Sequence, residues 1–121
     1  MLLTTLNQPK QLLLLSFIGE VRAAELAQGR PDLISFLAEL SAGFRLVTDL
    51  THVELIDTDC LELIVQSMKL CNEKGVGLLV RVIPDPAKDI GLNILSAFHY
   101  PPSQRIVTCA SMVEAAKVLS L

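Results

Sequence analysis

The chain has 121 residues, of which 51% are hydrophobic and 19% are charged, and its formal net charge is −3. This length suits one domain with a single core, so residues 1–121 are predicted to form one unit. A net negative charge argues against the basic face that nucleic acids and anionic membranes require, and we expect neither as a partner. Because few charges are available for the surface, we expect an exposed apolar patch that a homodimer or another protein covers.

The cysteines and histidines do not form a recognisable cofactor site. Cys60, Cys71 and Cys109 are an odd set without paired spacing, which favours reduced thiols and a cytoplasmic location. Neither His52 nor His99 stands at zinc-site spacing from a cysteine, and no glycine-rich phosphate loop is present in the sequence. We therefore expect no metal and no other cofactor.

The N-terminal segment contains two apolar runs, 2–6 and 11–18, on either side of the turn-rich residues 7–10. This pattern predicts a β-hairpin. The apolar stretch 12–18 is far shorter than the roughly 20 residues of a membrane-spanning helix, so we interpret it as a core strand.

Residues 20–41 change to the periodicity of a helix. Because Pro31 follows a glycine and an arginine, we expect a short turn, a break, and a main helix with Pro31 in its first turn. Gly43 is predicted to cap the end of this helix. The residues predicted to face the core are Leu33, Ile34, Leu37 and Leu40.

The rest of the chain alternates strands and helices. Strands are predicted over 44–50, 76–83 and 105–109, and the middle strand is apolar enough to be covered on both faces. An amphipathic helix from residue 61 to Gly75 is predicted to bury Leu61, Ile64, Val65, Met68 and Cys71. A helix after Pro86 is predicted to bury Ile90, Ile94, Leu95 and Phe98, and residues 99–103 to form a loop. Ser111 and Glu114 have capping-box spacing before a last helix over 112–119.

The predicted order is therefore ββαβαβαβα. Alternating helices and strands favour parallel neighbours, so the fold class is α/β, with a mixed, mostly parallel sheet of four to five strands covered by helices.

This order and the motifs around it resemble the STAS family of sulphate-transporter and anti-sigma-factor-antagonist domains. In that family a strand ends in Asp-Leu-Ser, and a hydrophobic pair and Asp-Ser-Ser-Gly then lead into an apolar helix. Here residues 49–51 read Asp-Leu-Thr, residues 55–56 read Leu-Ile, and residues 57–60 read Asp-Thr-Asp-Cys. Residues 19–21, Gly-Glu-Val, are similar to the Gly-Glu-Leu that ends the second strand of the family. The resemblance covers nearly the whole chain and implies a STAS-like single domain.

The chain departs from the family pattern at the residues that carry the family's function. In the antagonists, a partner kinase that is also an anti-sigma factor phosphorylates the second serine of the motif. That position is Asp59 here, which has no hydroxyl group, and Cys60 replaces the glycine. Thr58 aligns with the first serine and keeps a hydroxyl.

Two interpretations of Asp59 stand side by side. A fixed carboxylate imitates part of the charge of a phosphoserine, which is about −1.5 to −2. Alternatively, Asp57 or Asp59 caps the helix that follows, and Asp59 with Glu62 has the spacing of a reciprocal capping box. Thr58 is a further candidate phosphoacceptor, although phosphate beside these acids meets like-charge repulsion.

The resemblance implies a non-enzymatic, bacterial regulatory module that binds a protein, such as an anti-sigma factor or a kinase-like regulator. We expect the contact surface to comprise Asp57, Thr58, Asp59, Cys60 and Glu62. One alternative is a carrier that holds an apolar ligand or lipid between helices and sheet. Another is a thiol enzyme at Cys60, since a helix N-terminus lowers a thiol pKa, while the nearby carboxylates oppose this effect.

Overall fold

A computed structural model describes residues 1–85 and 104–120, and every structural statement below refers to these residues. Strands β1 (Leu2–Asn7) and β2 (Leu12–Phe17) pair antiparallel, as the hairpin prediction required. Parallel pairing then joins β2 to β4 (Arg45–Asp49), β4 to β6 (Leu78–Val82), and β6 to β7 (Ile106–Cys109). The strand order is β1-β2-β4-β6-β7. The predicted α/β class, with a mostly parallel sheet, is confirmed.

Helices cover both faces of this sheet. Helices α1 (Ala23–Ala38) and α2 (Leu61–Lys74) bury their apolar sides in the larger core cluster, and α3 (Met112–Val118) packs in a smaller one. Alternate strand residues point to the two clusters: Leu46 and Leu79 belong to the first, and Val47 and Val80 to the second. The sheet is therefore the middle layer of the molecule.

Helix α1 continues through Pro31, and the prediction of a broken helix was wrong. An interior proline removes one helical hydrogen bond and costs about 3 kcal/mol. The same helix buries Leu26, Leu33 and Leu37, which are each at most 6% exposed. Burying a leucine stabilises by roughly 1.5–3 kcal/mol, so three leucines outweigh the single proline.

Two further details of this region differ from the prediction. Ile34 is 48% exposed and is not a core residue, whereas Leu40 is buried as predicted. The C-cap of α1 is Glu39, and Gly43 lies further on, in the turn before β4, with φ +92°. The helix therefore ends before the glycine that was predicted to cap it.

A second, two-stranded sheet was not predicted. Strand β3 (Gly19–Val21) pairs in parallel with β5 (Val53–Ile56). Val21, Val53 and Ile56 are at most 2% exposed and belong to the core cluster beneath α1 and α2. Strands of three and four residues are too short to show a reliable periodicity in the sequence.

The end predicted for α2 agrees with the structure, and the start predicted for α3 agrees in part. Gly75 takes the left-handed conformation, with φ 98°, at the end of α2, as predicted. The side chain of Ser111 accepts a hydrogen bond from the Glu114 amide at 3.2 Å. The Glu114 carboxylate accepts from the amide of Ala110 at 2.7 Å, one residue before the reciprocal position of a capping box. The hydrogen bond to the Ser111 side chain, which is one of the two bonds of the predicted box, is confirmed.

The helix predicted after Pro86 and the loop predicted over 99–103 lie outside the described residues. None of the helices in the described part of the chain is long and apolar enough to cross a membrane.

Candidate functional site

The strand-to-helix junction, residues 49–62, begins with a turn that Asp49 closes. Its Oδ1 accepts a hydrogen bond from the Thr51 amide at 2.9 Å and another from the Thr51 hydroxyl. The carbonyl of His52 then accepts from the Gly19 amide at 2.9 Å, which attaches the turn to β3. The conformation of the turn therefore depends on the carboxylate of Asp49.

The carbonyl of Val21 holds the second half of the junction. It accepts from the Asp57 amide at 3.0 Å and from the Cys60 thiol at 3.5 Å. The Cys60 amide donates to the Asp57 carbonyl at 2.9 Å and closes a 3₁₀ turn over Thr58–Cys60. These contacts fix the direction in which α2 starts.

The capping roles predicted for the acids were wrong. Asp57 precedes the 3₁₀ turn and Cys60 occupies the N-cap position of α2, but neither side chain makes a capping hydrogen bond. Glu62 does not complete a box with Asp59, and its Oε1 instead accepts from the Gln66 side chain at 3.5 Å. The backbone already closes the turn, so the side chains at this helix end are not needed as caps.

Cys60 is buried, with 0% exposure, and so are Cys71 and Cys109. Burial raises the pKa of the Cys60 thiol, and the charges of Asp57, Glu25 and Asp59 raise that pKa further. A buried, protonated thiol that donates to a carbonyl is a poor nucleophile at neutral pH. The geometry therefore gives no support to a thiol enzyme at Cys60. The thiol packs as a small group in the larger core cluster.

The remaining residues of the predicted site lie at the surface. Asp57 is half-buried, and Thr58, Asp59 and Glu62 are exposed. Across residues 1–85 and 104–120, the ion pairs join Glu25 to the N-terminal ammonium and Arg22 to Glu20, and none involves the acids of the junction. The residues of the predicted site therefore present three carboxylates, those of Asp57, Asp59 and Glu62, without a cationic partner in the described structure.

Apolar side chains lie exposed beside these carboxylates. Leu61 is 38% exposed and Val65 is 47% exposed, so the prediction that both are core residues was wrong. The centre of the buried face is Ile64, Met68 and Cys71, and at 100° per residue Leu61 and Val65 fall on its flank. Leu55 on β5 is also 42% exposed. In the sequence, the apolar stripe of α2 is wider than its buried face, and this width could have indicated that residues at the edge of the stripe stay outside the core.

One polar link between α1 and α2 was not found from the sequence. The Arg30 guanidinium donates to the Gln66 side-chain oxygen at 2.9 Å, and Gln66 in turn donates to Glu62. The arginine and the glutamine are 36 residues apart in the chain, and no local pattern indicates that they meet.

The described cavities give little room for a ligand. A partly open cavity between α1, α2 and the sheet, lined in part by Leu15, Phe17 and Met68, has a volume of about 20 Å³. That is roughly the space of one water molecule, so it does not hold a lipid. A groove of about 300 Å³ between Ile34 and Leu70 is open to solvent. Within the described ranges, no group of three or more His, Cys, Asp or Glu residues is placed to hold a metal ion.

Comparisons with known proteins identify the fold. Neither a protein-family model nor a curated protein matches the sequence. The anti-sigma factor antagonist SpoIIAA, in its unphosphorylated form, is similar over 99% of this chain and 98% of its own, with a TM-score of 0.67. The fold is STAS-like.

An uncharacterised protein of the DUF3478 family from Shewanella loihica, which has a SpoIIAA-like fold, is similar over 98% of this chain and 92% of its own. Its TM-score is 0.65. The two structures are 11% and 14% identical to the chain in sequence, so the shared feature is the fold.

Proposed function

We propose that this protein is a non-enzymatic regulatory module that binds a protein partner through the junction and the exposed flank of α2. The observation that carries the proposal is the set of carboxylates of Asp57, Asp59 and Glu62, which have no cationic partner among the described residues and lie beside the exposed Leu61 and Val65. Interfaces commonly combine an apolar centre with a polar rim. The partner would present basic groups around an apolar centre, and an anti-sigma factor or a kinase-like regulator fits the STAS-like fold.

The charge at Asp59 distinguishes this proposal from a switch operated by phosphate. The side chain is exposed, forms no cap, and carries a charge that does not depend on a kinase. We propose that the surface is held permanently in one charge state, and that the partner recognises that state. The single-domain organisation, the homodimer and the cytoplasmic location stay predictions.

Charge reversal tests the acidic part of the surface. Asp59→Lys and Asp32→Lys change the net charge equally, and Asp32 lies exposed on α1, outside the junction. Tagged wild type and both variants are used to capture proteins from lysate of the source cells, and the captured proteins are compared by quantitative mass spectrometry. We expect at least one specific protein to be lost with Asp59→Lys and retained with Asp32→Lys. Retention of every specific protein by Asp59→Lys would refute the proposed surface.

A second pair of variants tests the apolar part. Val65→Ser removes an apolar group beside the acids, and Val113→Ser removes one from α3, where Val113 is 69% exposed. The captured protein should bind Val65→Ser about tenfold more weakly, equivalent to the roughly 1.4 kcal/mol that separates tenfold affinities. If the captured protein binds Val65→Ser and Val113→Ser with equal affinity, Val65 is not part of the contact surface.

A further inference from the structure

Strand β1 lies at the edge of the five-stranded sheet that the described residues form, and it pairs antiparallel with β2. Met1 and Ile18 continue this pairing by one position and exchange two hydrogen bonds. The Met1 nitrogen donates to the Ile18 carbonyl at 2.5 Å, and the Ile18 amide donates to the Met1 carbonyl at 2.7 Å. Because the hydrogen-bonded pairs of an antiparallel ladder alternate, the bonds from β1 to β2 fall on the odd-numbered residues of β1.

The even-numbered residues of β1, which are Leu2, Thr4 and Leu6, therefore direct their backbone N–H and C=O groups away from β2. Outside the strand ladders, none of the backbone hydrogen bonds of the described residues involves these groups. Their side chains are half-buried on the face that α1 covers, whereas Leu3 on the opposite face is 47% exposed. The free edge thus offers backbone donors and acceptors at three alternate residues, next to an exposed leucine.

Nothing in the sequence of β1 hinders pairing with a further strand at this edge. Edge strands that stay unpaired commonly carry a charged side chain, a proline or a bulge. Residues 2–7 contain no charged residue and no proline, and their register with β2 continues over all six residues without a shift. A straight, uncharged edge of this kind is a template for another β-strand.

We propose that β1 of a second copy of this chain pairs with β1 and forms a symmetric dimer. A two-fold axis at Thr4 makes the two strands antiparallel and gives a closed, self-complementary contact. Thr4 then lies opposite Thr4 of the partner subunit, and Leu2 lies opposite Leu6 of the partner subunit. Among the symmetric antiparallel registers, this one alone pairs all three residues that have free backbone groups, so each of those groups forms a hydrogen bond.

The side chains of β1 fit the same register. On the face that α1 covers, leucine pairs lie on either side of the central threonine pair, and such cross-strand pairs stabilise a sheet. On the opposite face, Leu3 lies opposite Thr5 of the partner subunit and diagonal to Leu3 of the partner subunit, within reach of a long side chain. The dimer therefore covers the exposed leucine of the edge. It locates the homodimer that the composition predicts, and it uses none of the junction residues 49–62.

Amide hydrogen exchange of the full-length chain, measured by NMR at low and high protein concentration, tests the pairing. In the dimer, the amides of Thr4 and Leu6 are bonded to the second copy, whereas those of Leu3 and Thr5 are bonded to β2 in monomer and dimer alike. We expect rising concentration to slow exchange at Thr4 and Leu6 far more than at Leu3 and Thr5. Sedimentation equilibrium of the same samples should show a monomer–dimer equilibrium. A monomer at every concentration, or a dimer in which Thr4 and Leu6 exchange as in the monomer, would overturn the proposal.

Two matched substitutions localise the contact. Leu3→Lys places a charge on the edge strand, diagonal to the same charge of the second copy. Val113→Lys makes the same change of charge on α3, where Val113 is 69% exposed. Leu3→Lys should weaken dimerisation roughly tenfold or more, because like charges across a strand pair repel each other, and Val113→Lys should leave it unchanged. The amide spectrum away from β1 reports that each variant is folded. Equal weakening by both variants, or no weakening by Leu3→Lys, would contradict the assigned edge.

Discussion

Thr48→Val should stabilise the free protein. The substitution replaces a buried hydroxyl that has no hydrogen-bond partner among the described residues with a methyl group of similar size. Both residues are β-branched and favourable in a strand such as β4. Most core substitutions destabilise a protein. The opposite sign at Thr48 would therefore be informative.

The magnitude follows from the burial of the side chain. Thr48 is 1% exposed, so folding removes the hydroxyl almost completely from water. The cost of leaving such a group unsatisfied is about 1–3 kcal/mol, and the valine variant avoids it. Around the size of this chain, each kcal/mol raises the melting temperature by roughly 3–5 °C.

Chemical and thermal unfolding in phosphate-free buffer measure this difference. Thr5→Val is the matched control, because Thr5 is exposed on β1 and reports the change in strand propensity alone. Equal or lower stability of Thr48→Val relative to Thr5→Val would show that the hydroxyl is already satisfied in the free protein.

Three other predictions concern α1 and the thiols. Pro31→Ala restores a hydrogen bond inside α1 and should stabilise the protein by about 1–2 kcal/mol, measured by urea unfolding. This value is the gain in helix propensity minus the stabilisation that proline provides by restricting the unfolded chain. The pKa of Glu25 is lowered, chiefly because its carboxylate accepts from the Arg22 amide. Glu25→Gln should therefore destabilise at neutral pH, and the difference should vanish as the pH falls through that lowered pKa. Burial raises the pKa of Cys71 to about 12, so this thiol should react with a disulfide reagent at pH 8 only as fast as the protein opens.

The sequence was sufficient for the layers of the fold because those layers follow from periodicity. Residues 12–17 and 78–82 are long apolar runs, and α2 has a stripe centred on Ile64 and Met68. The sequence could not determine which of two opposing local signals prevails in the folded protein. Pro31 predicts a break, but whether the helix bends or continues depends on how much of α1 is buried. Tertiary burial is not visible in a local pattern.

The candidate site was predicted less completely than the fold. The junction lies between β4 and α2 and Asp59 is exposed there, whereas the predicted caps do not form. Those caps were replaced by backbone contacts to Val21, which lies 36 residues before Asp57 in the chain. The hydrogen bond from Arg81 to Thr108 was missed for the same reason, because strand register alone brings the two residues together.

The failure of Asp59 to cap the helix makes its charge easier to test. An acid that bonds the first helical amides contributes about 0.5–2 kcal/mol, and removing it perturbs the fold together with any interface. Without that bond, Asp59 interacts with the helix dipole alone, an effect of about 0.3–1 kcal/mol at an exposed site that salt screens. Asp59→Lys should therefore lower stability by about 1 kcal/mol or slightly more, which leaves the protein folded. Loss of a captured protein by this variant, with a melting temperature within a few degrees of that of Asp32→Lys, then measures the surface itself.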